Sequence, residues 1–359
     1  MTATDEILFE QRNGLAMATL NRPRALNAVN LGMYRAFEPR LAAWAADPGV
    51  HALLLRGAGE RGLCAGGDIR AIYEARRRPL VRGEYAFDMF REEYLFIRNL
   101  HRFPKPRIAL AHGITMGGGA GLSIGGTACV VTETTALAMP EVFIGSTPDV
   151  GATRFFNACP GRLGLYLALT GARIGAADAL YCGFATHHVP QRDLEALTFA
   201  LAEARWRPGQ ERAQVQAVLA RFNRPPGEAR LSALRPAIDR CFGQGSVGGI
   251  VEALRRVPGV WAHVALAAIQ RASPVSLKVV FRQMGLGAAR PMSIEDALEL
   301  EFRVIQHLLA DEDFSSGVRA VLVDKDRNPR WRFSSLAEVS EAEVARHFAS
   351  LGELELAFD

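Results

Sequence analysis

"HGITMGGGAGLS", residues 112–123, is the stretch on which the fold turns. An apolar run, "RIALAHG" (107–113), enters it, and Gly117, Gly118 and Gly119 follow in succession. Glycine loses more backbone entropy on folding than any other residue, so such a cluster needs a local reason. A dinucleotide fingerprint fails, because the sixth position counted from Gly117 is Leu122 and from Gly119 is Ile124. A phosphate loop fails for want of a lysine. Gly121, Ser123 and Gly125 satisfy G-x-S-x-G, but the turn lies at 117–119, which puts Ser123 inside the following helix rather than at a nucleophile elbow. Two readings stay open. One is a strand-to-helix turn whose bare amides hold an anion or a developing oxyanion; the other is close packing of two backbones.

A second small-residue turn, "LCAGGDIR" (63–70), follows the strand-like "HALLLRG" (51–57) and precedes the helix-like "IRAIYEARRR" (69–78). Asp68 is placed to cap that helix. Two turns of one design offer free amides, and two amides on one oxygen make an oxyanion hole. Acids come next. "AMPEVFIGSTPDVGAT" (138–153) sets Glu141 and Asp149 in apolar or small surroundings, each directly after a proline. A carboxyl in such surroundings gains proton affinity and suits acid–base work, whereas two solvated loop acids are the plainer alternative. Glu92 and Glu93 in "FREEYLFIRNL" read by spacing alone as a helix edge. His187 and His188 lack a spaced acidic or cysteine partner, so no metal site is expected.

Outward from these motifs, β-rich runs at 14–20, 51–57, 107–113 and 128–132 alternate with helix-like segments at 31–47 and 85–103. That alternation predicts an α/β class. The second half has helical spacing at 193–206, 247–257, 293–310 and 340–351, with capping-box starts at Ser293 and Ser340. "FNRPPGEARL" (222–231) reads as a break. With 359 residues, 49% hydrophobic and 22% charged, the chain has room for a large core. Its net charge of +4 is too small to mark a nucleic-acid binder. The five scattered cysteines form neither a disulfide framework nor a zinc motif. The acidic, polar start lacks a secretory leader, and the uncharged 113–132 stretch is too glycine-rich for a membrane span, so a cytoplasmic protein is expected.

"LNRPRALNAVN" (20–30), "CAGGDIR" (64–70), "HGITMGGGAGLS" (112–123) and "MPEVFIGSTPDVGA" (139–152) occur in the order seen in the crotonase (enoyl-CoA hydratase/isomerase) superfamily. "FREEY" (90–94), "LALTGARIGAADALYCGFATHHV" (167–189) and "GVRAVLVDKDRNPRW" (317–331) extend the resemblance over most of the chain, closest to its 3-hydroxyisobutyryl-CoA hydrolase branch. The resemblance implies a crotonase-like spiral of ββα units with a helical C-terminal region. Residues 1–200 would be the core with the acyl-CoA site, and 201–359 the mainly helical part. It places the oxyanion amides on Ala65 and Gly118, the catalytic glutamate on Glu141 and the hydrolase branch's aspartate on Asp149. It makes Glu93 a substrate contact, reversing the reading from spacing, and adds Gly117, Gly67 and Asp68 to the substrate site and Arg24 to coenzyme A binding.

Hydratases of this kind carry a second glutamate where this chain has Gly121, and the branch carries an acid before "GVRA" where this chain has Ser316. The implied reaction is hydrolysis of a short β-hydroxyacyl-CoA thioester, 3-hydroxyisobutyryl-CoA foremost, as in valine breakdown. Coenzyme A is then part of the substrate, with no separate cofactor, metal, nucleic acid or membrane partner, and self-association stays open. The alternatives are a hydratase or isomerase using Glu141 alone, and a non-catalytic acyl-CoA-binding protein.

Overall fold

A computed structural model describes residues 3–75 and 81–358. It divides into two compact units, each assembled from three stretches of chain. The first holds Met1–Gly67, Leu95–Leu137 and Ile174–Arg230; the second holds Asp68–Tyr94, Ala138–Arg173 and Leu231–Asp359. The boundary expected at 200/201 falls inside the Leu194–Ala202 helix of the first unit. That helix lies on the first unit's sheet, where Leu197 and Leu201 share a core with Leu54 and Ile108. The C-terminal part is helical as expected: no strand follows His188 among the described residues.

The strands are β1 (Ile7–Arg12), β2 (Leu15–Leu20), β3 (Ala52–Gly57), β4 (Arg107–Ala111), β5 (Ile114–Met116), β6 (Ala128–Val131), β7 (Ala136–Ala138) and β8 (His187–His188). The main sheet runs β1-β2-β3-β4-β6-β8; the first pair is antiparallel and the others are parallel. The continuous apolar runs of β2 and β4 follow from their burial on both faces, as parallel strands require. On one face Leu15, Met17, Leu54, Ile108 and Val130 pack against Leu197, Leu201, Val215 and Leu219. In the same unit Phe37, from the Leu31–Ala46 helix, packs at a tilt against Phe96 with ring centroids 4.7 Å apart. The uncharged 113–132 stretch folds as β5, the short Gly118–Ser123 helix and β6. No single described helix is long and apolar enough to cross a membrane.

In the second unit, Pro274–Ala289 and Ile294–Leu309 are its longest helices after residue 231. Ser293 closes the expected capping box with Asp296, and the Ser340 side chain accepts from the Glu343 amide. Val275, Val279, Val304, Leu308 and Val344 form one apolar cluster there. The buried Asp311 carboxylate pairs with Arg332, Arg346 and His347 and so anchors the Glu341–Arg346 helix. The Glu312–Val318 helix packs on the turn Glu141–Ile144. A Cβ on Gly145 would lie 2.4 Å from the Asp313 carbonyl carbon, and one on Gly317 would lie 2.5 Å from that of Ile144. Ser316, the departure noted from the branch, accepts the Arg330 amide at 2.6 Å. Of the helix expected at 69–78, Ile69–Ala75 is present, and 76–78 lie outside the described residues.

Candidate active site

The amides belong to the first unit. β3 and β5 each run into a glycine turn, and a parallel bridge between Cys64 and Thr115 brings the two turns side by side. Gly117 has φ +51° and ψ −125°, a backbone open only to glycine, and it starts the Gly118–Ser123 helix. A Cβ on Gly119 would meet the Cys64 carbonyl oxygen at 2.3 Å. Close packing of two backbones therefore accounts for Gly119, and the left-handed turn accounts for Gly117. Gly118, between them, has an amide that makes no hydrogen bond among the described residues.

Ala65 is corrected here. Its amide donates to the Leu26 carbonyl at 3.0 Å and is not free for a substrate oxygen. Gly67, two residues on, has an amide with no partner among the described residues. Gly66 has φ +107°, which explains its lack of a side chain, whereas Gly67 has no left-handed backbone to explain its own. The turn holding Leu26 is itself tightly wound: Leu26 and Asn27 both have positive φ, and the Asn27 side chain donates to the carbonyls of Ala58 and Gly62.

Arg107, which the motifs did not single out, supports the amide helix from behind. Its guanidinium, 3% exposed, donates to the carbonyls of Leu122 at 2.7 Å and Ile124 at 3.1 Å, at the helix C-terminus. Burial lowers its pKa to about 10, which leaves it charged. A buried cation at a helix C-terminus opposes the macrodipole's negative end, and this helix, half glycine, needs the support. Arg107→Met is expected to cost about 3 kcal/mol, because it strands two buried carbonyls. Arg107→Lys should recover part of that loss, as read by urea unfolding. Ser123 is buried inside the helix, where its hydroxyl donates to the Ala120 carbonyl at 3.1 Å, so no nucleophile elbow forms. Burial pushes the neighbouring Cys129 thiol up to about 12, and it stays an inert thiol.

The acids belong to the second unit. Glu141 opens a one-turn helix, and its Oε2 is shielded from solvent with no hydrogen-bond partner among the described residues. Burial, then the charges of Asp149 and Glu93, hold its pKa well above the carboxylate range. Asp149 accepts a hydrogen bond from the Tyr94 hydroxyl at 2.7 Å. Tyr94 is fully buried, edge-on to Phe302 and Phe90. Burial and the surrounding carboxylates raise its own pKa well above 10.0, so it stays a donor. Glu93 is buried on the same helix while Glu92 is only half-buried; the helix-edge reading fits Glu92 alone. Thus Glu93, Glu141 and Asp149 come together, and Tyr94 joins them without having been singled out.

The loop 147–153 carrying Asp149 is pinned by two buried polar side chains. Gln283 accepts from the Thr147 hydroxyl and donates to the Pro148 carbonyl and the Thr153 hydroxyl. Glu301 accepts the amides of Gly151 and Thr153, both at 2.7 Å. Between them Val150 sits at φ +53°, a conformation that costs a non-glycine residue about 1–2 kcal/mol.

Burial raises the Asp149 pKa from 3.8 to about 6 against the pull of the Tyr94 hydroxyl. Folded Asp149 therefore holds its proton more tightly than the unfolded chain does. Its contribution to stability is present at low pH and is lost as the pH rises through about 6. The loss amounts to about 3 kcal/mol at 1.36 kcal/mol per unit. Asp149→Asn is expected to melt at a higher temperature than the unsubstituted protein at neutral pH, with the margin closing on acidification. Equal melting temperatures at neutral pH would contradict this.

Asp68 caps the Ile69–Ala75 helix through the Ala71 amide at 3.2 Å, which is the structural role considered for it. Arg24 is exposed in the Pro23–Ala25 turn and forms no ion pair among the described residues. The His188 ring meets the Arg224 carbonyl in β8 rather than other ligating groups. Among the described residues, the His/Cys/Asp/Glu group closest to metal-ligand geometry is Asp311, Glu343 and His347. Arg332 and Arg346 already pair with its two acids.

Residues 15–348 match the family model for enoyl-CoA hydratase/isomerase. The zebrafish (Danio rerio) protein named "3-hydroxyisobutyryl-CoA hydrolase, mitochondrial" is 41% identical, covering 99% of this chain and 92% of its own length. The human protein of that name is 38% identical over the same shares. A crystal structure titled as a carnitinyl-CoA dehydratase from Mycobacterium thermoresistibile superposes with a TM-score of 0.91 at 40% identity, covering 99% of both chains. One titled as an enoyl-CoA hydratase from Rhodobacter sphaeroides 2.4.1 gives 0.88 at 36% identity, over 98% of this chain and 100% of its own. The two relatives are named as mitochondrial, so they lend the cytoplasmic expectation no support.

Proposed function

The chain belongs to the enoyl-CoA hydratase/isomerase family, and from that premise we propose that it hydrolyses the thioester of 3-hydroxyisobutyryl-CoA to 3-hydroxyisobutyrate and coenzyme A, a step that fits valine breakdown. The observation that carries this reading is the near full-length identity, 41% and 38%, to proteins named for that reaction. The similar structures titled as dehydratase and hydratase compete with it. Adding water across a double bond delivers hydroxide to one carbon and a proton to the other, work that two acids divide more readily than one. At the position where the family's hydratases carry their second glutamate, this chain has Gly121, buried within the Gly118–Ser123 helix and without a side chain to titrate.

In this reading the amides of Gly67 and Gly118 receive the thioester oxygen as it gains charge in the tetrahedral intermediate. Glu141 takes a proton from the attacking water and returns it to the departing sulfur. Its raised proton affinity suits both halves of that transfer. Trapping of an anhydride by hydroxylamine would reassign Glu141 from base to nucleophile. Asp149, oriented by Tyr94, accepts the β-hydroxyl of the substrate, and Glu93 completes that contact. A substrate lacking the hydroxyl would leave a buried acid without its partner and be rejected. Gly117 and Asp68 shape the two turns, and no resident cofactor enters the chemistry.

Arg24 is assigned to a phosphate of coenzyme A. Arg24→Ala should raise KM roughly threefold to tenfold with kcat unchanged, the mark of a binding group that does not sense the transition state. The deciding experiment follows thiol release from 3-hydroxyisobutyryl-CoA beside hydration of crotonyl-CoA. Rapid thiol release with slow hydration is expected; rapid hydration without thiol release sinks the reading.

A further inference from the structure

Val150 is a β-branched residue at φ +53°, where such residues are genuine outliers. It is also 1% exposed, so solvent does not relax it. A conformation of this kind persists only where its surroundings over-determine it. Here the surroundings are specific. Glu301, fully buried on the Ile294–Leu309 helix, takes the amides on either side of Ala152, and its two oxygens each receive one bond. Gln283, equally buried on the Pro274–Ala289 helix, holds the chain just before Asp149 at Pro148 and just after it at Thr153. Asp149 lies between these anchors, immediately before the strained residue, and it is also the acid bonded to Tyr94.

We propose that Glu301 is a positioning residue for the reaction: through the Gly151 and Thr153 amides it holds Val150 left-handed, and that turn sets the direction of the Asp149 carboxylate. Glu301 touches no reacting atom in this assignment. A buried carboxylate serving only to start the short Ala152–Asn157 helix would need no strained valine beside it. The strain marks a backbone direction that the chain does not adopt unaided.

This inference rests on the hydrolase reading only through the reaction used to measure it. In Glu301→Gln one oxygen becomes an NH₂ group facing a backbone N–H, so one of the two anchors is lost. The expected result is a fall in kcat of roughly 10²-fold, because an Asp149 turned aside holds the β-hydroxyl, and with it the thioester, out of line with Glu141, while KM, set mainly by the coenzyme A part, stays nearly unchanged. Adding Val150→Gly removes the conformational cost of the left-handed turn, and the double variant should regain about tenfold of the lost kcat. Folded fraction is followed by circular dichroism and activity is expressed per folded chain. Should the glutamine variant not accumulate, Glu301→Asp, one methylene short of the amides, must show the same split between kcat and KM. A Glu301→Gln or Glu301→Asp protein with full kcat and only a lower melting temperature would overturn the proposal. So would a double variant no faster than Glu301→Gln alone. If the unsubstituted protein hydrates crotonyl-CoA instead of releasing thiol, the hydrolase reading fails, and the same variants are compared on hydration, where the positioning role stands or falls separately.

Discussion

Glu141→Gln is expected to lower kcat for thiol release by roughly 10³-fold, within the range general acid–base groups supply. The amide has the shape of the carboxyl but neither takes nor returns a proton. The unsubstituted Glu141 Oε2 is shielded and unpartnered among the described residues, so the glutamine breaks no hydrogen bond at that atom and the fold should survive. KM should hold, because the amides proposed to receive the thioester oxygen lie elsewhere in the chain. The direction of the pKa shift adds a second readout. Burial and neighbouring acids raise Glu141 above its ordinary 4.5. Its stabilising contribution is therefore present at low pH and lost as the pH climbs past the raised value. The glutamine variant should consequently melt no lower than the parent at alkaline pH. Retention of a tenth of the parental kcat would remove Glu141 from the chemistry.

Gly118→Pro is the cleanest way to delete one of the two proposed oxyanion donors. Gly118 is the first residue of its helix, the position where proline's fixed φ is preorganised and its missing N–H breaks no helical bond. The variant should keep its melting temperature within a few degrees and lose roughly 10²–10³-fold in kcat, the usual cost of one such donor. Gly67→Pro should match it in kcat. Full activity in Gly118→Pro would mean that the thioester oxygen lies elsewhere, and the two glycine turns would then be packing devices only.

Much of the framework was legible in local pattern. β2, β3, β4 and β6 fall within one or two residues of the apolar runs that announced them, and Ser293 caps where its S-x-x-D spacing said it would. Two-sided burial of a parallel sheet leaves a continuous apolar signature that needs no long-range information. The acids at 141 and 149 were marked by their apolar setting and flanking prolines. What pattern missed depends on residues distant in sequence. The amide of Ala65 is engaged by Leu26, 39 positions away, through a turn of left-handed residues that nothing near Ala65 announces. Arg107 looks like a strand-edge charge until the chain after residue 117 folds back and offers it two carbonyls. Glu301 and Gln283 sit in ordinary amphipathic helices; their role appears only when a loop some 130 to 150 positions earlier is laid against them. The interleaving of the two units is likewise a property of chain return, which composition does not encode.

That interleaving governs how the protein is made. A ribosome delivers the acid-bearing loop of the second unit long before residues 283 and 301, which satisfy its buried amides and hydroxyls. Until the last third of the message is read, the nascent chain holds an unsupported turn, with proline-locked Pro148 and with Val150 and Gly151 that end left-handed, and nothing to close on. Premature stop codons anywhere before Glu301 therefore yield chains that lack the residue closing the acid-bearing loop, and proteolytic clearance rather than partial activity is their expected fate.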